Sequence, residues 1–587
     1  MIWRYAIIIG MKTTLAAIVV ATSAMAAVED INWNIDTYEP RTPVITGSVA
    51  SGFHGSVAPM ARMDMRAVNA LTDANRSWNG VAWRNERINC QFALWTRESA
   101  EQVRVRISDF TSADGAKIPA SACRSRFVRY VLSSQVNHQG RVVHPEALVG
   151  DCLDTADMVD MPENSFRPFW FTMDVPADAK PGVYSGTVTA IAQGGRKIDF
   201  AITVDVQNRT LPQSKDWKYF LDLWQHPLAV ARYHGVKPWS KEHYAMLKPL
   251  LQELASIGQK TITATLTDHP WNHQNFDPYH SMVRHVKRAD GSFKRDFSQW
   301  DEYVDFCIKC GLGPQIHCYT MATWGHIVYW EDEATGDIVK AKLVPGTPEH
   351  EAFWGPFLAE FRDHVQAKGL LGRVYIALDE RSREELSATA NLIEKRGKGL
   401  KLAMAGNKKP SEFAGISVDN YCQSLGHVSE DYLAEVHATR PSDRFTSTFY
   451  VCCGPMRPNT FVDSPLAESS WIGIFAAAKR MDGFLRWAYA NWPRDPFVDS
   501  TFGLWRPGDT YLVYPGVRTS SRWEMLRDGI ETFEKIRLLR AQGRIDAALE
   551  TALSAIDFNV ALKQDDAALA KTVADVMSAV DVASRKK

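Results

Sequence analysis

Val374-Tyr375-Ile376-Ala377-Leu378-Asp379-Glu380 is a short apolar run that ends on two carboxylates. Its length and its Val, Ile and Tyr content suit a buried strand. A helical pattern follows at Arg383-Lys395. The same rhythm extends in both directions. Strands are predicted at Tyr219-Trp224, Thr261-Leu266, Pro314-Tyr319, Val374-Asp379, Lys401-Ala405, Gly415-Asp419, Ser447-Cys452 and Phe484-Tyr489. Helices are predicted between several of them, at Glu242-Ile257 and Phe353-Gln366 as well as Arg383-Lys395. Eight strands spread over roughly 270 residues match the size and alternation of a (β/α)8 barrel. An open doubly wound sheet is the alternative, but no G-x-G-x-x-G follows any strand.

Upstream of the barrel the pattern is all-β. Val183-Ile191 follows the turn signal Pro181-Gly182, Gly194-Gly195 makes a hairpin, and Phe200-Val206 alternates again. Phe169-Trp170-Phe171 belongs to an earlier strand, and a β-sandwich is the expected architecture. Asn208-Ser214, with Pro212, reads as the linker. Downstream, Ser521 and Glu524 form a capping box before the apolar stripe Leu526, Ile530, Phe533, Ile536 and Leu539. The terminal Arg585-Lys586-Lys587 is expected to fray. The fold class is therefore α/β and all-β multidomain. The expected domains are a signal peptide at 1–26, a β-sandwich at 27–212, a (β/α)8 barrel at 213–515 and a helical region at 516–587 that packs on the barrel.

The signal peptide rests on Lys12, the apolar stretch Leu15-Val20 and the cleavage pattern Ala24-Met25-Ala26. It predicts an exported protein, periplasmic or secreted by a bacterium. No later apolar run is long enough to span a membrane. The formal net charge of -1 argues against a nucleic-acid partner. Nine scattered cysteines are not a disulfide framework, although one bridge among Cys90, Cys123 and Cys152 stays open. Cys307 and Cys310 have C-x-x-C spacing but no second pair, and buried thiols are the better reading. Four histidines occur between 269 and 285, but Pro270 breaks any helical metal-ligand spacing there. Neither a metal nor a cofactor is expected.

In a barrel enzyme the C-terminal strand ends carry the chemistry, and Asp379-Glu380 lies at one of them. Adjacent residues on a regular strand point to opposite faces, so both carboxylates share a pocket only if the pleat breaks there. An adjacent pair does not flank a bond from two strands. It suits instead a substrate-assisted glycosidase, in which the sugar's 2-acetamido oxygen attacks the anomeric carbon. One carboxylate then holds the acetamido N–H and the other, protonated, serves the leaving oxygen. A solvated acidic cluster with Glu384, Glu385, Arg381 and Arg383 is the bland alternative.

Asp379-Glu380-Arg381 after a barrel strand resembles glycoside hydrolase family 123, the β-N-acetylgalactosaminidases. Segments resembling that family run in order: Asp222-Pro227, Pro270-Trp271, Ile316-Met321, Thr448-Cys453, Pro458-Phe461, Gly483-Tyr489, Asn491-Pro493 and Gly508-Gly516. The resemblance implies a retaining enzyme without metal, acting on a glycan with terminal β-linked GalNAc. Carried over, it makes Glu380 the general acid/base and Asp379 the acetamido-orienting residue. Such a site also needs a donor to the acetamido oxygen, with Tyr450 first and Tyr489 second as candidates. Trp487 and Trp492 are candidates for the floor and wall of the sugar site. Tyr319, Asp277, Tyr279 and His226 are further candidates for substrate binding. A β-N-acetylglucosaminidase of the same mechanism and a non-catalytic glycan-binding protein are the alternatives; the oligomeric state is open.

Overall fold

The structure, a computed structural model, describes residues 51–62, 75–136, 142–272, 274, 276–439, 445–502 and 505–585. The expected signal peptide, His273 and Lys586-Lys587 lie outside them.

The N-terminal domain is a sandwich of a five-stranded and a seven-stranded sheet. The hairpin expected around Gly194-Gly195 pairs Gly182–Ile191 with Lys197–Thr210, Ile191 opposite Lys197. Gly194 takes φ 78° in its turn, a conformation open to glycine without strain. Alternation on Ser165–Asp174 sends Phe169, Phe171 and Met173 into the core between the sheets. There Phe92 meets Phe169 at 4.8 Å and Phe200 at 4.7 Å. Trp170 points the other way, into a second apolar cluster with Leu466 and Met525 of the barrel's helices. Both faces of that sheet are therefore covered, one by the partner sheet and one by the barrel.

The barrel strands are β1 (Phe220–Leu223), β2 (Thr261–Thr265), β3 (Gln315–Tyr319), β4 (Val374–Asp379), β5 (Lys401–Gly406), β6 (Asn420–Ser424), β7 (Thr446–Tyr450) and β8 (Gly483–Arg486). They form one parallel sheet in the order β1-β8-β7-β6-β5-β4-β3-β2. The seam between β1 and β2 is closed by Lys260 N donating to Leu221 O at 2.8 Å and by two side-chain amides. Leu223 N donates to Gln259 Oε1 at 3.0 Å, and Thr263 N donates to Gln225 Oε1 at 2.8 Å. These glutamines supply the ladder bonds that the short β1 cannot.

One strand lies elsewhere than expected. β6 is Asn420–Ser424, after Gly415-Asp419. Its Asn, Gln and Ser read as loop residues, yet they face partners inside the fold: Asn420 Nδ2 donates to Gln315 Oε1 at 3.0 Å. The lower barrel interior is polar and self-satisfied, with Thr261 Oγ1 donating to Asp222 Oδ1 at 2.5 Å and His317 3.5 Å from Asp222.

The loops after β2 and β3 add a four-stranded sheet that the sequence pattern did not show: Arg284–Lys287, Phe293–Asp296, Ile327–Asp332 and Ile338–Lys342. It packs His285 and Phe293 on Phe353 of helix Pro348–Ala367, at 5.2 and 4.9 Å. Thr323 Oγ1 donates to Ile327 O at 2.9 Å, tying the loop at Thr323–His326 to this sheet.

Helix Ser521–Ala541 follows β8. Its N-cap is Ser520, which accepts from Trp523 N, and not Ser521. Glu524 is absent from the cap because two sandwich arginines claim it: Arg126 Nη2 lies 2.8 Å and Arg87 Nη1 3.3 Å from its carboxylate. Arg522 pairs with Asp151 at 2.9 Å, both fully buried, and Lys535 with Glu86 at 2.5 Å. The helix thus turns its apolar stripe to the barrel and a charged face to the sandwich, where Arg522, Glu524 and Lys535 have ion-pair partners and Asp528 accepts from Asn89 Nδ2 at 2.9 Å. The last helix, Asp566–Arg585, ends against the sandwich as well. Arg585, expected to fray, reaches Asp205 at 2.5 Å. All nine cysteines are free.

Candidate active site

On β4 the inward residues are Tyr375, Ala377 and Asp379, while Val374, Ile376 and Leu378 face the helices. Strict alternation would send Glu380 outward. It does not, because Glu380 adopts φ 49°. A non-glycine residue in the left-handed region costs on the order of 1 kcal/mol. Glu380 N, donating to Ala405 O at 2.8 Å, anchors the turn. The pleat is broken at this one residue, and both carboxylates open on the barrel mouth.

The two environments differ. Asp379 Oδ2 accepts from Trp324 Nε1 at 3.0 Å. Burial, and then the charge of Glu380, raise the Asp379 carboxyl to about 7; the Trp324 hydrogen bond and Arg381 oppose that rise. Glu380 is exposed to solvent and its Oε1 accepts from the Tyr450 hydroxyl at 2.6 Å. Burial and the adjacent Glu380 charge push the Tyr450 phenol far up, so it serves as a donor.

Arg381 braces the pair from behind. Its Nε donates to Asp379 O at 2.8 Å, and its guanidinium lies 5.0 Å over the Trp324 ring. Glu385 sits 3.7 Å from Arg381 and 2.6 Å from His326 Nε2. Glu385 also completes a capping box with Ser382 at the start of helix Arg383–Arg396. The acidic run after Glu380 therefore holds the helix start and the arginine, separately from Asp379 and Glu380.

Aromatic side chains line the mouth. Trp224 stacks on Trp271 at 4.8 Å and touches Tyr319 at 4.6 Å; Trp271 lies 4.9 Å from Tyr319. Tyr279, Tyr450, Trp324 and Trp487 belong to the same cluster. Trp487 Nε1 donates to Asp509 Oδ1 at 3.0 Å, and Asp509 is held by Arg486 Nη2 at 2.8 Å. Asp509, which has the sequence of a turn residue, is thus the anchor of Trp487.

Of the expected binding residues, Tyr450, Tyr319, Trp487 and Tyr279 come together here. Tyr279 has its hydroxyl committed to Gln225 O. His226 lies behind it, 4.9 Å ring to ring, buried at the start of helix Pro227–Tyr233. Asp277 faces Arg232, 2.7 Å away. Tyr489 and Trp492 are elsewhere. Tyr489 is packed in the layer outside the strands, 5.4 Å from Trp523, with its hydroxyl donating to Leu250 O at 3.1 Å. Trp492 is fully buried against Tyr233, its Nε1 donating to Val513 O at 2.7 Å. Past β8 the chain turns outward, and these large rings fill the space between barrel and helices. Trp324 was not singled out from sequence, its only signal being a large aromatic in a βα loop; Trp271 and Trp224 entered only within the family-like segments Pro270-Trp271 and Asp222-Pro227, with no role assigned to them. Among the described residues no group of three or more His, Cys, Asp or Glu is placed to hold a metal ion.

An eight-stranded barrel with two carboxylates and an aromatic bowl at the C-terminal rim has the architecture of a glycosidase. Comparison with known proteins gives the family. Residues 224–539 match the glycoside hydrolase 123 catalytic domain, and residues 64–192 match the glycoside hydrolase 123 N-terminal domain. The chain belongs to glycoside hydrolase family 123. Among solved structures, a family 123 glycoside hydrolase from Clostridium perfringens, studied for glycolipid glycan hydrolysis, superposes with a TM-score of 0.85 at 23% identity, over 91% of this chain and 98% of that one. A Bacteroides ovatus GH5 xyloglucanase gives a TM-score of 0.26 at 10% identity, over 78% of this chain and 98% of that one. The curated proteins give no significant match.

Proposed function

We propose that this glycosidase releases terminal β-linked N-acetylgalactosamine by a retaining, substrate-assisted mechanism. The observation that carries the reading is the left-handed turn at Glu380, which brings two adjacent carboxylates of unlike environment to one mouth. Asp379, ionised, accepts the acetamido N–H and stabilises the charge that builds as the acetamido oxygen attacks the anomeric carbon. Glu380 gives its proton to the departing oxygen as the glycosidic bond breaks. Its Oε1 is occupied by Tyr450 in the free protein, which leaves Oε2 to carry that proton. In the second half, Glu380 takes a proton from water, which attacks the same carbon and opens the oxazolinium ring with net retention. The half-buried Trp324 and Trp487 supply the aromatic surface for the pyranose, over a floor of the buried Trp224, Trp271 and Tyr319. Lys12, Leu15-Val20 and Ala24-Met25-Ala26 support export and cleavage after Ala26, which N-terminal sequencing of the mature protein checks.

The test compares aryl β-GalNAc and aryl β-GlcNAc hydrolysis by the wild type and by Glu380→Gln. Faster turnover of the GalNAc glycoside is expected. Loss of the acid is expected to slow a poor leaving group by about 10²–10⁴-fold and an acidic phenol far less. Equal turnover of both leaving groups by wild type and variant removes Glu380 from the mechanism.

A further inference from the structure

Cys452 and Cys453 follow β7 directly, and their Sγ atoms lie 3.8 Å apart. Cys453 is the exposed cysteine of the nine; Cys452 and Cys123 are half-buried and the other six are buried. Six buried thiols in a packed core are inert, and burial raises Cys90, Cys152, Cys307, Cys310, Cys318 and Cys422 accordingly. The adjacent pair behaves otherwise. Cys453 is the solvent-exposed member of the pair and Cys452 the half-buried one, so Cys453 is the thiol that an external disulfide reaches.

The pair also sits at a junction of the site. Cys452 is two residues beyond Tyr450, whose hydroxyl contacts Glu380. The Cys452 carbonyl accepts from Asn459 Nδ2 at 2.9 Å. Asn459 Oδ1 accepts from Arg486 at 2.8 Å, and Arg486 holds the Asp509 that anchors Trp487. The dithiol loop is thus wired to an aromatic on either side of the mouth.

We infer that Cys452-Cys453 is a redox-closable vicinal dithiol that takes an external disulfide as its oxidant and reports its state to the sugar-binding wall. The Cys453 thiolate attacks one sulfur of the external disulfide, forms a mixed disulfide and expels one thiolate, which is protonated. Cys452, giving its proton to solvent, then attacks Cys453 Sγ, forms the Cys452–Cys453 bond and expels the second thiolate, which is also protonated. Two protein thiols are oxidised and one external disulfide is reduced to two thiols. Closure draws the sulfurs from 3.8 Å to about 2.05 Å. Asn459 pins the Cys452 carbonyl, so Cys453 and Gly454 make the movement. The wall shifts and β4, with its carboxylates, does not.

The test equilibrates the reduced full-length chain with oxidised glutathione and follows it by intact mass, peptide mapping and kinetics. The expected product has lost two hydrogens, carries no glutathione, has both cysteines in one cyclised peptide and reverts with dithiothreitol. Cys453→Ser must show no such loss. A stable glutathione adduct on the wild type, or two thiols still open to alkylation, overturns the inference. The kinetic arm rests on the proposed activity: closure is expected to raise KM for an aryl β-GalNAc about threefold or more while kcat stays within about twofold. An unchanged KM in the closed protein overturns the link to the site. If the reduced protein hydrolyses no acetamido-sugar glycoside, the proposed activity fails while the mass result still decides the thiol chemistry.

Discussion

Trp324→Phe isolates one hydrogen bond on which the division of labour between the carboxylates depends. The variant keeps a smaller aromatic ring under Arg381 and deletes the indole N–H that reaches Asp379 Oδ2 at 3.0 Å. A hydrogen bond to a charged group is worth about 1.5–3 kcal/mol. At about 1.36 kcal/mol per pKa unit, its loss raises the Asp379 carboxyl by about 1–2 units. From about 7 the titration then moves to about 8–9. Asp379 must be ionised to accept the acetamido N–H, so the acid limb of kcat/KM moves upward by the same amount. Near about pH 6 the variant should be about 10–100-fold slower than wild type, and the gap should narrow as pH rises. The assay is a pH–rate profile on an aryl β-GalNAc, with thermal unfolding to separate any loss of packing. A profile lowered in parallel, with its acid limb unmoved, refutes the reasoning and leaves Trp324 as a packing residue. Arg381→Gln should move the limb in the same direction, because the Arg381 charge also favours ionised Asp379.

Three further outcomes follow from the same geometry. Tyr450→Phe removes the donor to Glu380 and keeps the ring; a fall in kcat/KM of about 10–100-fold is expected, and a rate within about twofold of wild type denies the bond a role. Asp379→Asn should abolish turnover yet stabilise the fold: with its carboxyl raised to about 7, Asp379 contributes stability below its unfolded pKa that is lost as pH rises through about 7. The Tm gain of that variant should therefore appear on the alkaline side and vanish near about pH 4. Glu524→Gln leaves Arg126 and Arg87 without their buried counter-charge and should cost about 3–5 kcal/mol in thermal unfolding at neutral pH, whereas an unchanged Tm means the sandwich does not lean on this helix through those charges. Glu524 is held well below the usual carboxylate range by burial-resistant pairing with Arg126 and Arg87, so its contribution is present above its unfolded pKa and fades as pH falls through the folded one.

Much of this molecule was legible in order along the chain. The alternation of strands and helices, the hairpin at Gly194-Gly195, and the carboxylate pair at the end of β4 are local patterns, and local patterns record which face of an element is buried. The limits of that reading are equally physical. β6 was misplaced because its polar side chains find partners inside the fold, Asn420 on Gln315 of β3 and Gln423 on His427 O, where a one-dimensional pattern sees only polarity. Tyr489, a candidate acetamido donor, and Trp492, a candidate wall, stand near the end of β8 in the sequence, but the direction in which the chain leaves β8 sends both into the outer layer. Trp324 meets Asp379 across 55 residues of sequence, through a loop positioned by a small sheet with no clear signature. The sequence by itself determined that two carboxylates stand side by side at a barrel rim. Only the tertiary structure decided that they work on one side of it: a single residue in the left-handed region at Glu380, held by Ala405 and met by Tyr450, turns an alternating strand end into a shared site.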